Sequence, residues 1–149
     1  MMSPRIMLLA VLLLAGCAAE HPPLAVPAEA PAALSRANWG LAGRVDVGLE
    51  SFDFVPDTLR FELGRPYVVH LQNLAKGGHN FDAPAFFSTV ALADGPAERR
   101  LRAAGGVIEL AGGAVTDIRL IPLKSGTYPL ICSHPLHEEF GMSGKIIVR

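Results

Sequence analysis

Between residues 44 and 73, apolar and polar positions alternate in short runs. Arg44-Val45-Asp46-Val47-Gly48-Leu49 changes character at every step, as a strand with one buried face does. Phe52-Asp53-Phe54-Val55 continues that alternation until Pro56 stops it, and Thr58-Leu59-Arg60-Phe61-Glu62-Leu63 resumes it. Gly64-Arg65-Pro66 predicts a turn. Tyr67 to Asn73 is a run rich in β-branched and aromatic residues, which predicts a further strand, with His70 as a residue of that strand rather than a ligand. Residues 107–110, 115–121, 126–132 and 144–148 predict four more strands. Short strands separated by Gly and Pro turns imply an all-β sandwich. One segment breaks the pattern. Asp94-Gly95-Pro96 followed by Ala97-Glu98-Arg99-Arg100-Leu101-Arg102-Ala103-Ala104-Gly105 places acid before base and ends on glycine, so it predicts one short helix in an inter-strand insertion. Its arginines read as a solvated face. Trp39, the single tryptophan, is expected at the core or edge of the first strand.

The N-terminal segment follows a different logic. Arg5 precedes the apolar run Ile6 to Ala15, which is long enough for a secretory signal and too short to cross a bilayer as a helix. Leu14-Ala15-Gly16-Cys17 resembles a bacterial lipobox, so residues 1–16 are expected to be a signal peptide and Cys17 the acylated first residue. By the same resemblance Ala18 directs the protein to the outer membrane. Residues 17–38 are rich in alanine and proline without hydrophobic periodicity. They are expected to form a semi-extended tether reaching roughly 50 Å, with His21 solvated. Residues 39–149 are the size of one domain. Without Arg5 the 13 basic residues become 12 against 14 acidic ones, a net charge of −2. That balance gives no reason to expect nucleic-acid binding. With Cys17 acylated, Cys132 is the one thiol left of two cysteines. An unpaired thiol in an oxidising compartment has to be reactive or metal-bound.

The chemistry is concentrated in Cys132-Ser133-His134-Pro135-Leu136-His137-Glu138-Glu139-Phe140-Gly141-Met142. Thiolate, imidazole and thioether lie in one loop between two predicted strands. Two His and one Cys with a weak axial Met form the donor set of electron-transfer copper sites. Thiolate and thioether suit Cu(I) and imidazole suits Cu(II), so neither oxidation state is held overwhelmingly. The second imidazole is assigned to His79, in Ala75-Lys76-Gly77-Gly78-His79-Asn80-Phe81, where glycines let the backbone approach a metal closely. His134 competes with His137 for the downstream position. A structural zinc site would prefer Cys and His without Met. The leftover His21, His70 and His134 are too few for the second metal centre of a copper oxidase or nitrite reductase.

These motifs resemble the cupredoxin family over residues 41–149. The resemblance rests on Phe52-Asp53-Phe54-Val55-Pro56, Gly78-His79-Asn80-Phe81, Gly126-Thr127-Tyr128 and Cys132-x4-His137-x4-Met142-x-Gly144, a loop spacing like that of auracyanin and rusticyanin. It implies a Greek-key β-sandwich and one type 1 copper, with His79, Cys132 and His137 as equatorial ligands and Met142 as the axial one. Asn80 would tie the two ligand segments together and hydrogen-bond toward the thiolate. The implied function is that of a monomeric, non-enzymatic one-electron carrier on the periplasmic side of a bacterial membrane. Its partners would be redox proteins such as a cytochrome or a copper enzyme. A copper chaperone or resistance protein using the same site is the alternative. Glu138 and Glu139, beside the family's docking histidine, would favour a partner with basic charge around its cofactor.

Overall fold

The structure is a computed structural model and describes residues 21–149. The signal peptide, Cys17 and Ala18 lie outside the described residues. The alternating runs become ten strands: β1 (Gly43–Glu50), β2 (Asp53–Val55), β3 (Thr58–Phe61), β4 (Tyr67–Asn73), β5 (His79–Asp82), β6 (Val90–Leu92), β7 (Val107–Leu110), β8 (Val115–Pro122), β9 (Gly126–Ile131) and β10 (Ser143–Val148). They form two five-stranded sheets, ordered β2-β1-β4-β8-β6 and β3-β10-β9-β5-β7. From β2 to β9 the chain changes sheet at every connection, and only β1–β2 and β9–β10 join strands of the same sheet. β1 runs parallel to β4 and β3 parallel to β10; the other paired strands are antiparallel. Each sheet turns its apolar alternate residues inward, and Leu49, Phe54, Leu59, Leu71, Phe81, Ile118, Leu120, Leu130 and Ile146 interleave between the layers. Burial of such side chains stabilises by about 1.5–3 kcal/mol apiece, so the alternation read from sequence is the main source of cohesion.

Three expectations are corrected. First, Phe52–Val55 does not prolong the preceding strand. The chain turns at Ser51 and Phe52, and β2 folds back antiparallel on β1, pairing Glu50 with Asp53. Alternation carries no information on where a strand reverses. Second, the segment expected as a free tether rests on the sandwich, without regular structure over 21–27 and as a helix from Ala30. Leu24 N–H donates to the Arg102 carbonyl at 2.9 Å. Helix α1 (Ala30–Arg36) buries Ala30 against Ala91 and Ile121, with Leu34, Ala37 and Trp39 beside them. Trp39 opens a short 3₁₀ turn instead of a strand, and the Arg119 guanidinium lies 5.7 Å from its ring centre. Third, helices are more numerous than the one expected: besides α1 there is a four-residue α2 (Pro84–Phe87), whose Phe86 and Phe87 enter the core.

The expected helix is present as α3 (Pro96–Ala103), with Gly95 rather than Asp94 at its N-cap. Asp94 instead accepts from Arg99 at 2.8 Å. Gly105 and Gly106 end it with φ of +64° and +96°, values that glycine adopts without a Cβ penalty. Buried Glu98 accepts the Arg119 N–H at 2.9 Å and fixes α3 against β8.

Candidate metal centre

The downstream ligand loop joins β9 to β10. Cys132 follows β9 directly and Met142 precedes β10, and their backbones are bonded to each other, the Cys132 N–H donating to the Met142 carbonyl at 3.1 Å. Between them the loop is braced from within: the His137 N–H donates to the His134 carbonyl at 3.1 Å and the Met142 N–H to the His137 carbonyl at 3.0 Å. Leu136 at φ +67° and Gly141 at φ +104° supply the sharp reversals this compact path needs. Only the glycine adopts its conformation freely.

His79 was expected in a glycine-rich loop; it is the first residue of β5, paired with Leu110 of β7 and buried. The glycines lie just upstream, and that turn is fixed by Asn73, fully buried at the end of β4. Asn73 Nδ2 donates to the carbonyls of Gly77 (2.9 Å), Leu110 (2.9 Å) and Ala111 (3.1 Å), and its Oδ1 accepts the Ala75 N–H at 3.0 Å. One amide thus binds the His79 turn to the end of β7 and the connection that follows it.

Folding brings His79, Cys132 and His137 together. The two histidines face each other through Nδ1 at 3.1 Å, and Cys132 Sγ stands 3.4 Å from His137 Nδ1 and 3.9 Å from His79 Nδ1. Separations of 3–4 Å among three donors are what a metal bound at about 2 Å to each leaves between its ligands. His79 Nε2 lies 3.4 Å from Ser51 Oγ, so with Nδ1 on a metal Nε2 would carry the proton and Ser51 would be there to accept it. Burial, and secondarily the charges of His137 and His134, push the His79 pKa below 6.5. A neutral imidazole is the form that ligates metal. Met142 is fully buried within the core, and Cys132 is likewise inaccessible. The Asn80 backbone N–H points at Cys132 Sγ from 3.4 Å. Its side-chain Oδ1 accepts the Ser133 N–H at 2.8 Å, so Asn80 does join the two ligand segments. The soft thiolate and thioether with two neutral imidazoles fit copper rather than a hard cation.

His134 is not in this cluster. Its Nε2 engages Glu109 Oε2 at 2.8 Å. His70 pairs across strands with Asp117 at 2.6 Å on the other sheet, as expected of a strand residue. His21 is exposed to solvent, with its Nε2 3.7 Å from buried Asp82. Sequence reasoning missed Ser51, Asn73 and Glu109. Each reaches the site through tertiary packing, and no local motif marks it.

His137 alone of the four proposed ligands is partly open to solvent. Phe52 meets the His137 ring edge-on at 5.0 Å and itself lies tilted 5.1 Å from Phe140, and Leu136 and Phe140 are exposed. Glu138 and Glu139 stand exposed beside them.

Residues 42–149 match the model of the copper-binding plastocyanin/azurin family. Among solved structures, the chain resembles dithionite-reduced auracyanin from Roseiflexus castenholzii at 16% identity and TM-score 0.54, covering 72% of this chain and 98% of that one. Auracyanin B gives 20% identity and TM-score 0.52 over 76% and 93% of the two chains. A multicopper oxidase from Campylobacter jejuni matches at 14% identity and TM-score 0.50, over 71% of this chain but 29% of its own length. No curated protein matches the chain. The family match spans the whole sandwich, and within it His79, Cys132, His137 and Met142 are positioned as a type 1 copper site, so this chain belongs to the plastocyanin/azurin family of copper-binding proteins.

Proposed function

We propose that the protein carries single electrons between redox partners on the periplasmic side of a bacterial membrane. One observation supports this reading above the others: three donors converge in a sealed site, and only His137 leads from it to the surface, through an apolar rim. Copper held there would supply a one-electron couple between Cu(I) and Cu(II). The chain does the rest. Cys132, Met142 and His79 are buried and keep water away from the donors. The Cys132–Met142 backbone bond and the Asn73 amide hold both ligand segments in place, so little rearrangement accompanies a change of charge. His137 and its neighbours Phe52, Leu136 and Phe140 give a partner a flat apolar contact at the shortest distance from the site. Glu138 and Glu139 at its edge would steer toward a partner whose cofactor is ringed by basic residues.

Cu(II) titration tests the reading. One equivalent should produce an intense thiolate-to-copper band, lost in His137→Ala and retained in His134→Ala. A wild-type protein without the band would sink it. A copper chaperone would form the same complex but release the metal to an acceptor within a few turnovers, whereas a carrier keeps it through many redox cycles. The pairing of His134 with Glu109 leaves no free imidazole for a transfer relay among the described residues of this face, and so favours the carrier. Anchoring through Cys17 is part of the proposal. Incorporation of labelled fatty acid, abolished in Cys17→Ser, is the expected result, and recovery with the outer membrane would support the sorting role of Ala18.

A further inference from the structure

The residues around the copper site include one carboxylate that neither ligates nor is needed by the sandwich. Glu109 lies on β7, directly across the ladder from Asn80 on β5, so their side chains share the outer face of that sheet. Its two oxygens have different partners. Oε1 accepts from Asn80 Nδ2 at 2.8 Å, and Oε2 engages His134 Nε2 at 2.8 Å. Asn80 belongs to the His79 segment and His134 to the loop that bears Cys132, His137 and Met142. The remaining Nδ2 proton of Asn80 goes to Ser133 Oγ at 3.0 Å, and its Oδ1 accepts the Ser133 N–H at 2.8 Å. Every polar atom of the Asn80 side chain is therefore engaged, and only one orientation of the amide satisfies both Glu109 and the Ser133 N–H.

We propose that Glu109 is a positioning residue for the copper site, bridging Asn80 and His134 so that the two ligand-bearing segments keep a fixed spacing at Cys132. The bridge acts on the site through two short routes. Asn80 presents its backbone N–H to Cys132 Sγ at 3.4 Å, so displacing Asn80 alters the hydrogen bond on the thiolate. His134 and His137 lie 5.3 Å apart by ring centres and are linked by the His137 N–H to His134 carbonyl bond. Releasing His134 thus loosens the turn that aims His137. Outer partners of metal ligands typically change metal affinity by about 10- to 100-fold when removed. Glu109 is solvent-facing, so its effect is expected at the low end of that range. This inference rests on the copper reading of the same site.

The test compares Glu109→Ala and Glu109→Gln in the whole copper-loaded protein. Glutamine keeps an acceptor for Asn80 and offers its N–H to His134, which accepts it through Nε2 in the Nδ1–H tautomer, while the charge is removed. Glu109→Ala should shift the thiolate-to-copper band and release copper to a chelator about tenfold faster, and Glu109→Gln should restore both to near wild type. Asp117→Ala, which breaks the analogous His70 pair on the opposite sheet, should change neither. An alanine variant matching wild type in band and release rate overturns the proposal. So does a glutamine variant that behaves like alanine, because that pattern belongs to charge rather than positioning. A wild-type protein with no thiolate-to-copper band overturns the copper reading itself, and the bridge with it.

Discussion

Asn73 shows how much of the site depends on a residue that touches no ligand. Its amide satisfies three carbonyls and one N–H in a fully buried position. Asn73→Ala strands those groups, each at a cost of about 1–3 kcal/mol. A loss of about 3 kcal/mol is expected in urea unfolding of the metal-free protein. Asn73→Asp should do no better, because a carboxylate would face three carbonyl oxygens with nothing to donate. If the aspartate variant unfolds at the wild-type midpoint, the donor role assigned to Nδ2 is wrong. At the rim, Glu138→Gln and Glu139→Gln together should leave the thiolate-to-copper band unchanged. Electron exchange with a cationic small redox protein should slow at low ionic strength, and the difference should fade as salt screens the charges.

Elements, rather than single side chains, set the spacing of the loop. β10 must run close beside the chain at Asp57: a Cβ at Gly144 would lie 2.3 Å from the Asp57 carbonyl oxygen, and the Lys145 N–H donates to that same oxygen at 2.9 Å. Gly144→Ala should therefore destabilise by about 1–3 kcal/mol, read as a lower urea midpoint. On the opposite side, Glu98→Ala should detach α3 from β8 at about 2 kcal/mol and leave the copper band intact. Most strands were legible, because period-two alternation is a direct imprint of a one-sided core, and Tyr67–Asn73 and Val107–Leu110 fall where the pattern puts them. The short strands β5 and β6 were not. They are buried throughout, so they present no alternation to read. The downstream loop was legible because its donors are sequence neighbours. Glu109 and Ser51 were not, since they reach Asn80 and His79 from elements 29 and 28 residues away.

At the level of the whole molecule, the sandwich and the metal stabilise each other. The donors are preassembled, so copper binds the folded chain in preference to the unfolded one. Loading should raise the melting temperature in proportion to the logarithm of free copper over its dissociation constant. Cys132→Ala should abolish most of that rise. The N-terminal segment contributes as well. A chain beginning at Trp39 exposes Ala91 and Ile121, which Ala30 and its neighbours cover. It should lose about 3 kcal/mol relative to one beginning at His21, measured by urea unfolding. An unchanged midpoint would return residues 21–38 to the status of a tether.

The strapped-down segment has a further consequence for how the protein meets its partners. If the lipid sits on Cys17, three residues lie between it and His21, making four residue-to-residue steps. Fully extended they span at most about 14 Å, against the roughly 50 Å of an unfolded tether. The volume a moored domain can sweep scales with the cube of its leash, so it contracts to about one fiftieth. Within that small volume the local concentration of the carrier at the bilayer is correspondingly higher. Under that anchoring, encounters with partners fixed in the same membrane would become frequent, and a partner beyond the leash would lie out of range.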